Sequence, residues 1–153
     1  MAQPIDPKAA EEHLHSWISA IPPNSEWESR TELEQTILLV YTLELEVSNG
    51  GFEQYFSNPA GDRWRETLQA VQRIGAIRIE EIFLTALTTF PKSAPSTEQL
   101  IRSHELQNMN PKATSLLERL TEKYYMLYKN CPEEDSYAKM AHYILRVQGP
   151  TQG

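Results

Sequence analysis

Several features common in enzymes and secreted or membrane proteins are missing from this chain. No apolar run approaches the roughly 18–20 residues a membrane span requires. The N-terminus MAQPIDPKAAEEHL has neither a basic nor an apolar leader segment, so the sequence predicts no secretory signal. A single cysteine, Cys131, cannot form an internal disulfide. With no leader, this suits a reducing compartment, and cytoplasmic residence is the expectation. The four histidines form no HExxH or Glu-x-x-His pair, and His13 and His15 point to separate sides of a helix. No EF-hand loop, CxxC pair, phosphate-cradling glycine loop or GxSxG elbow occurs. The reading is therefore of no metal, no cofactor and no assigned catalytic residue. Bases are also scarce where nucleic acid would need them. Residues 1–60 carry ten acids against two bases, a net of −8, whereas residues 61–153 carry eleven acids and twelve bases, a net of +1. An acidic first half argues against direct nucleic-acid binding there and suits a basic protein partner.

What is present is helical periodicity punctuated by proline. The 153-residue length predicts one domain, 1–153, with a core large enough to stand without staples. Asp6-Pro7 reads as a cap and first helical residue, followed by Ala10, Leu14, Trp17, Ile18 and Ile21 at helical spacing and a stop at Pro22-Pro23. Ser29-x-x-Glu32 and Thr31-x-x-Glu34 are both capping boxes that could open a second helix ending near Ser48. Asp62 is expected to cap a third, carrying Trp64, Leu68 and Val71 and ending at Gly75. Ile79, Ile82, Phe83, Ala86 and Phe90 form a fourth stripe, and a short helix is expected near 97–106. Asn110-Pro111 opens a long helix with Leu117, Leu120 and Tyr124 inward. Glu133, Glu134 and Asp135 favour the start of a last helix, and the tail 148–153 is expected to fray. No sustained strand alternation occurs. The fold class is all-α: a single-domain bundle of six to seven mostly antiparallel helices.

The densest stretch is ELEVSNGGFEQYFSNPAGD, residues 44–62. On a helical wheel Glu44 falls within the apolar arc of Leu33, Ile37, Val40, Tyr41 and Val47, while Glu46 lies on the opposite sector with Gln35. A regular helix therefore cannot bring the two acids together as a catalytic pair. A carboxylate in an apolar arc needs partners. Glu44 is expected to pin the following loop through backbone N–H groups, Gln54, Tyr55 or an arginine, to serve a ligand as a carboxylate of raised pKa, or, if the helix bends or ends early, to stand exposed. Asn49-Gly50 reads as a helix stop and Gly51 as a tight turn, with positive φ as the condition under which alanine there destabilises. Phe52, Tyr55 and Phe56 share one face and should plug the core. Asn58-Pro59-Ala60-Gly61 is a turn.

The run Glu46 to Gly61, EVSNGGFEQYFSNPAG, resembles the signature of a bacterial family of largely unknown function, roughly E-V-N-N-G-G-F-x-Q-Y-F-x-N-x-x-G. Ile74-Gly75-Ala76 fits its downstream Ile-Gly-Ala, and Ser48 stands where the family usually has the first Asn. The resemblance covers residues 44–90. The family is named after a DNA-mimic protein, which implies an all-helical cytoplasmic domain, a homodimer, and an acidic surface imitating DNA phosphates to occupy a DNA-binding protein.

Two functional readings follow. In the first, a non-enzymatic interaction protein binds a basic partner through Glu11, Glu12, Glu26, Glu28, Glu32 and Glu34. In the second, a small-ligand or enzymatic module uses the polar residues of the NGGFxQYF joint: Glu44, Asn49, Gly50, Gly51, Phe52, Gln54, Tyr55 and Asn58. An open pocket at Glu44 would favour the second; Glu44 sealed under Phe52 and Tyr55 would remove it.

Overall fold

The computed structural model describes residues 7–149. Among these, seven α-helices and no strand are found: α1 (Pro7–Ser19), α2 (Glu32–Ser57), α3 (Trp64–Arg73), α4 (Ile77–Leu87), α5 (Gln99–Gln107), α6 (Pro111–Asn130) and α7 (Ser136–Gln148). Short 3₁₀ turns at Trp27–Ser29, Pro59–Arg63, Pro91–Ser93 and Pro132–Glu134 join them. The all-α bundle read from periodicity is the fold. No described helix is long and apolar enough to cross a membrane.

Local capping signals set the starts of α2, α6 and α7. Thr31 caps α2: its hydroxyl accepts from Glu34 N, and Glu34 Oε1 accepts from Thr31 N at 2.9 Å. Of the two candidate boxes this one is used, and Ser29 belongs to the preceding turn. Asn110 accepts from Ala113 N at 2.8 Å and opens α6 with Pro111 behind it. Asp135 accepts from Tyr137 N and Ala138 N and opens α7. Asp6, expected to cap α1, lies outside the described residues. Gln148, expected to begin a frayed tail, instead closes α7 and accepts from the Trp17 indole at 3.3 Å; residues 150–153 are outside the described chain.

The centre of the bundle is α2, which packs against α3, α5, α6 and α7. Its apolar arc (Leu33, Ile37, Val40, Leu43, Val47) is buried. Phe52, Tyr55 and Phe56 are fully buried, as their shared face predicts, and meet Phe83 and Phe90 in a run of aromatic contacts with centroids 4.7–6.4 Å apart. Burying each such ring is worth about 1.5–3 kcal/mol by transfer alone.

The joint differs from a plain helix stop. The backbone breaks at Gly50 (φ −154°, ψ 20°) and Gly51 (φ 77°, ψ −176°), then resumes as helix to Ser57. The outcome is one kinked α2. Gly51 occupies a region that only glycine reaches without strain, and a Cβ there would lie 3.0 Å from Thr121 Oγ1. In an unbroken helix the Phe52 N–H would bond Ser48; here it donates to Thr121 Oγ1 at 3.1 Å. The Tyr125 hydroxyl donates to the Val47 carbonyl at 2.6 Å. Helix α6 thus satisfies backbone groups on both sides of the kink, as buried polar groups require.

Candidate functional site

Glu44 and Glu46 separate as the wheel predicts, but the partners of Glu44 are not those expected. Glu46 holds the joint: its Oε2 accepts from Gln54 Nε2 at 2.9 Å and from Asn58 Nδ2 at 2.8 Å. Asn49 Nδ2 donates to Gln54 Oε1 at 3.2 Å. The amides Asn49, Gln54 and Asn58 therefore bind one another and Glu46 across the kink. Gly50 has the Gln54 side chain packed directly on it. Tyr55 lies in the core with its hydroxyl buried.

Asp62, expected to cap α3, instead pairs with Arg102 of α5 at 2.8 Å. Arg102 is fully buried, a residue that sequence reasoning missed. Its guanidinium donates to the carbonyls of Phe56, Asn58 and Ser96 as well as to Asp62. Gly61 admits it, since a Cβ there would stand 2.7 Å from Arg102 Nε. A rigid, many-donor fork suits a helix end with several unbonded carbonyls. No local signal distinguishes it from a surface arginine: its neighbours Leu100 and Ile101 are themselves exposed.

Glu44 faces away from this network. It is 9 % exposed, accepts from the buried Tyr124 hydroxyl, and takes a weak bond from Ser48 Oγ at 3.4 Å. Beside it opens a cavity of about 260 Å³ between α2, α6 and the start of α7, with Asp135 and Glu11 also on its wall. Burial pushes the Glu44 carboxyl up, against the hydrogen bonds of Tyr124 and Ser48 and the nearby Ser136 hydroxyl, and the charge of Asp135 pushes the same way. Burial likewise raises Asp135, against the N–H groups of Ala138 and Tyr137. Glu44 is thus neither pinned to the joint nor sealed under Phe52 and Tyr55. Among the described residues no group of three or more His, Cys, Asp or Glu is arranged to hold a metal ion.

The six acids expected on one partner surface have unequal roles. Glu12, Glu26, Glu28 and Glu32 are exposed. Glu32 stands 3.5 Å from Arg73, and Glu34 is tied into the α2 cap. Glu11 is half-buried at the cavity. Between Glu26 and Glu28, Trp27 carries the Arg63 guanidinium over its ring at 4.5 Å.

A family model described as DMP19-like protein matches residues 28–147. The chain belongs to that family. The match takes in the kinked α2, its Arg102 clasp and the Glu44 cavity apart from Glu11, and it begins after Glu11, Glu12 and Glu26. The family is named for DNA mimic protein 19. No curated protein and no solved structure matches the chain.

Proposed function

We propose that this DMP19-like protein is a non-enzymatic interaction protein of the cytoplasm that occupies a basic, DNA-binding partner through its acidic N-terminal side. The observation that carries the reading is the run of exposed carboxylates Glu26, Glu28 and Glu32 along the Trp27–Ser29 turn and the start of α2, within residues 1–60, whose net charge is −8. The family's name supports it. Carboxylates held on a rigid helical frame present fixed negative charge to a surface built for phosphates. Such an interface steers association and weakens with salt. A homodimer would double the acidic surface.

The test captures the partner on immobilised protein and compares wild type with Glu26→Lys/Glu28→Lys. Retention of a basic DNA-binding protein that added salt or duplex DNA releases, and that the variant does not hold, is the expected outcome. Retained proteins that are neither basic nor released by salt would sink the reading.

A second reading, a small-ligand module, is favoured by one observation: Glu44 borders an open cavity with its carboxyl raised by burial. Its seat is the α6–α7 side of α2. The Asn49, Gln54 and Asn58 amides are already paired within the joint.

A further inference from the structure

The cavity beside Glu44 has a wall of unusual composition. Four tyrosines line it: Tyr124, Tyr125 and Tyr128 from α6, and Tyr137 from α7. Carboxylates line it too, and among the described residues no lysine or arginine lines it. Among the described residues Glu44 therefore has hydroxyl partners and no counter-ion. A separate feature points the same way. The Ser136 hydroxyl, on a residue 2 % exposed at the cavity wall, makes no hydrogen bond among the described residues. It lies near enough to Glu44 and Tyr124 to lower both their pKa values without standing in bonding geometry to either.

We propose that this cavity binds an organic ammonium group, with Glu44 and Asp135 as counter-charges, the tyrosine rings as the cage, and Ser136 as a hydrogen-bonding group at its base. The physical case is complementarity. Aromatic rings attract a cation through their quadrupole, and most strongly where water is excluded. A buried carboxylate without a counter-ion is costly, and an arriving cation offsets that cost. An anion would meet three carboxyl groups with no base to neutralise them. A neutral apolar ligand would leave Glu44 desolvated and unpaired. At about 260 Å³ the cavity is below the usual size for a whole drug-like ligand, and suits a head group or the end of one side chain. The ammonium could come from a free small amine or from a lysine side chain of another protein. The inference deepens the small-ligand reading and does not rest on the acidic N-terminal surface.

The test is an NMR titration of the full chain with tetramethylammonium, n-butylammonium, and the uncharged tert-butanol as a size control, at ionic strength held with sodium chloride. Short peptides carrying one lysine or one trimethyllysine form the other arm. Saturable shifts at Ser136, Tyr137 and Tyr128 with the ammonium probes alone are expected. Glu44→Gln should weaken binding by about tenfold or more, and Tyr128→Ala should weaken it less. Tyr128 is 59 % exposed, so its variant keeps the fold and tests the cage even if Glu44→Gln does not fold. Stronger binding by a peptide than by the free amines assigns the site to a protein side chain; the reverse assigns it to a small amine. Equal binding of tert-butanol, or undiminished ammonium binding in both variants, overturns the ammonium proposal and leaves the small-ligand reading standing. No saturable shift with any probe overturns both.

Discussion

Glu44 and Glu46 are two residues apart on the same turn of α2, and the molecule treats them oppositely. On the Glu46 side each motif amide has a partner within the motif: Gln54 and Asn58 donate to Glu46, and Asn49 donates to Gln54. On the Glu44 side the carboxylate meets only hydroxyls among the described residues, its pKa is raised by burial, and a cavity opens next to it. The comparison separates what the motif is for. Its glycines, amides and aromatics build a kinked helix, and the residue left with unspent chemistry faces the neighbouring helices.

The comparison can be broken first on the structural side. Phe56→Ala empties a fully buried site among Phe52, Phe83 and Phe90 and should cost about 3–5 kcal/mol in denaturant unfolding. A cost below about 1 kcal/mol would mean that the plug is not the centre of the core. Arg102→Met should come close behind, at about 3 kcal/mol or more. It strands the Phe56, Asn58 and Ser96 carbonyls, each worth roughly 1–3 kcal/mol when left unbonded.

Gly51→Ala should cost on the order of 1–3 kcal/mol, because its φ of 77° with ψ of −176° is nearly closed to L side chains and the new Cβ presses on Thr121. Gly75→Ala is the control. It has φ of 72°, but nothing lies within 4 Å, so only backbone strain opposes it and the loss should be smaller. Equal losses at the two positions would show that contact with α6 contributes nothing at the joint.

The Glu44 side is sharpened by pH. A carboxyl whose folded pKa is raised binds its proton more tightly in the folded state. Its stabilising contribution is complete below the ordinary carboxylate pKa and is lost as pH rises through the folded value. Wild type should therefore lose stability over that window, and Glu44→Gln should lose less of it. Paired unfolding curves near pH 4 and pH 7 check this. A variant whose stability falls as steeply as wild type's would remove Glu44 as the source. The smallest stability effect belongs to Glu26→Lys/Glu28→Lys, which should stay within about 0.5 kcal/mol per substitution because both side chains are exposed.

Much of this was legible in the chain. Thr31, Asn110 and Asp135 act on groups two or three residues away, so their capping roles follow from local sequence. Apolar spacing of three and four residues fixed the helix faces and placed Phe52, Tyr55 and Phe56 inside. The wheel also put Glu44 and Glu46 on different sides, since that depends only on the geometry of one helix. Sequence alone thus determined an all-α fold, most of its helix boundaries, and a glycine break with an aromatic plug behind it.

Tertiary structure decided the partners. Tyr124 lies 80 positions from Glu44, Thr121 lies 69 from Phe52, and Arg102 lies 46 from Phe56. No periodicity encodes such pairings, because they depend on how helices cross and not on the order of residues within one. Asp62 shows the same limit. Its local sequence favours a cap, but the buried guanidinium of Arg102 offers a charge-assisted bond. Sequence made Glu44 conspicuous. Only the packing of α6 and the start of α7 against α2 placed it beside a tyrosine-lined cavity with no lysine or arginine among its described lining residues.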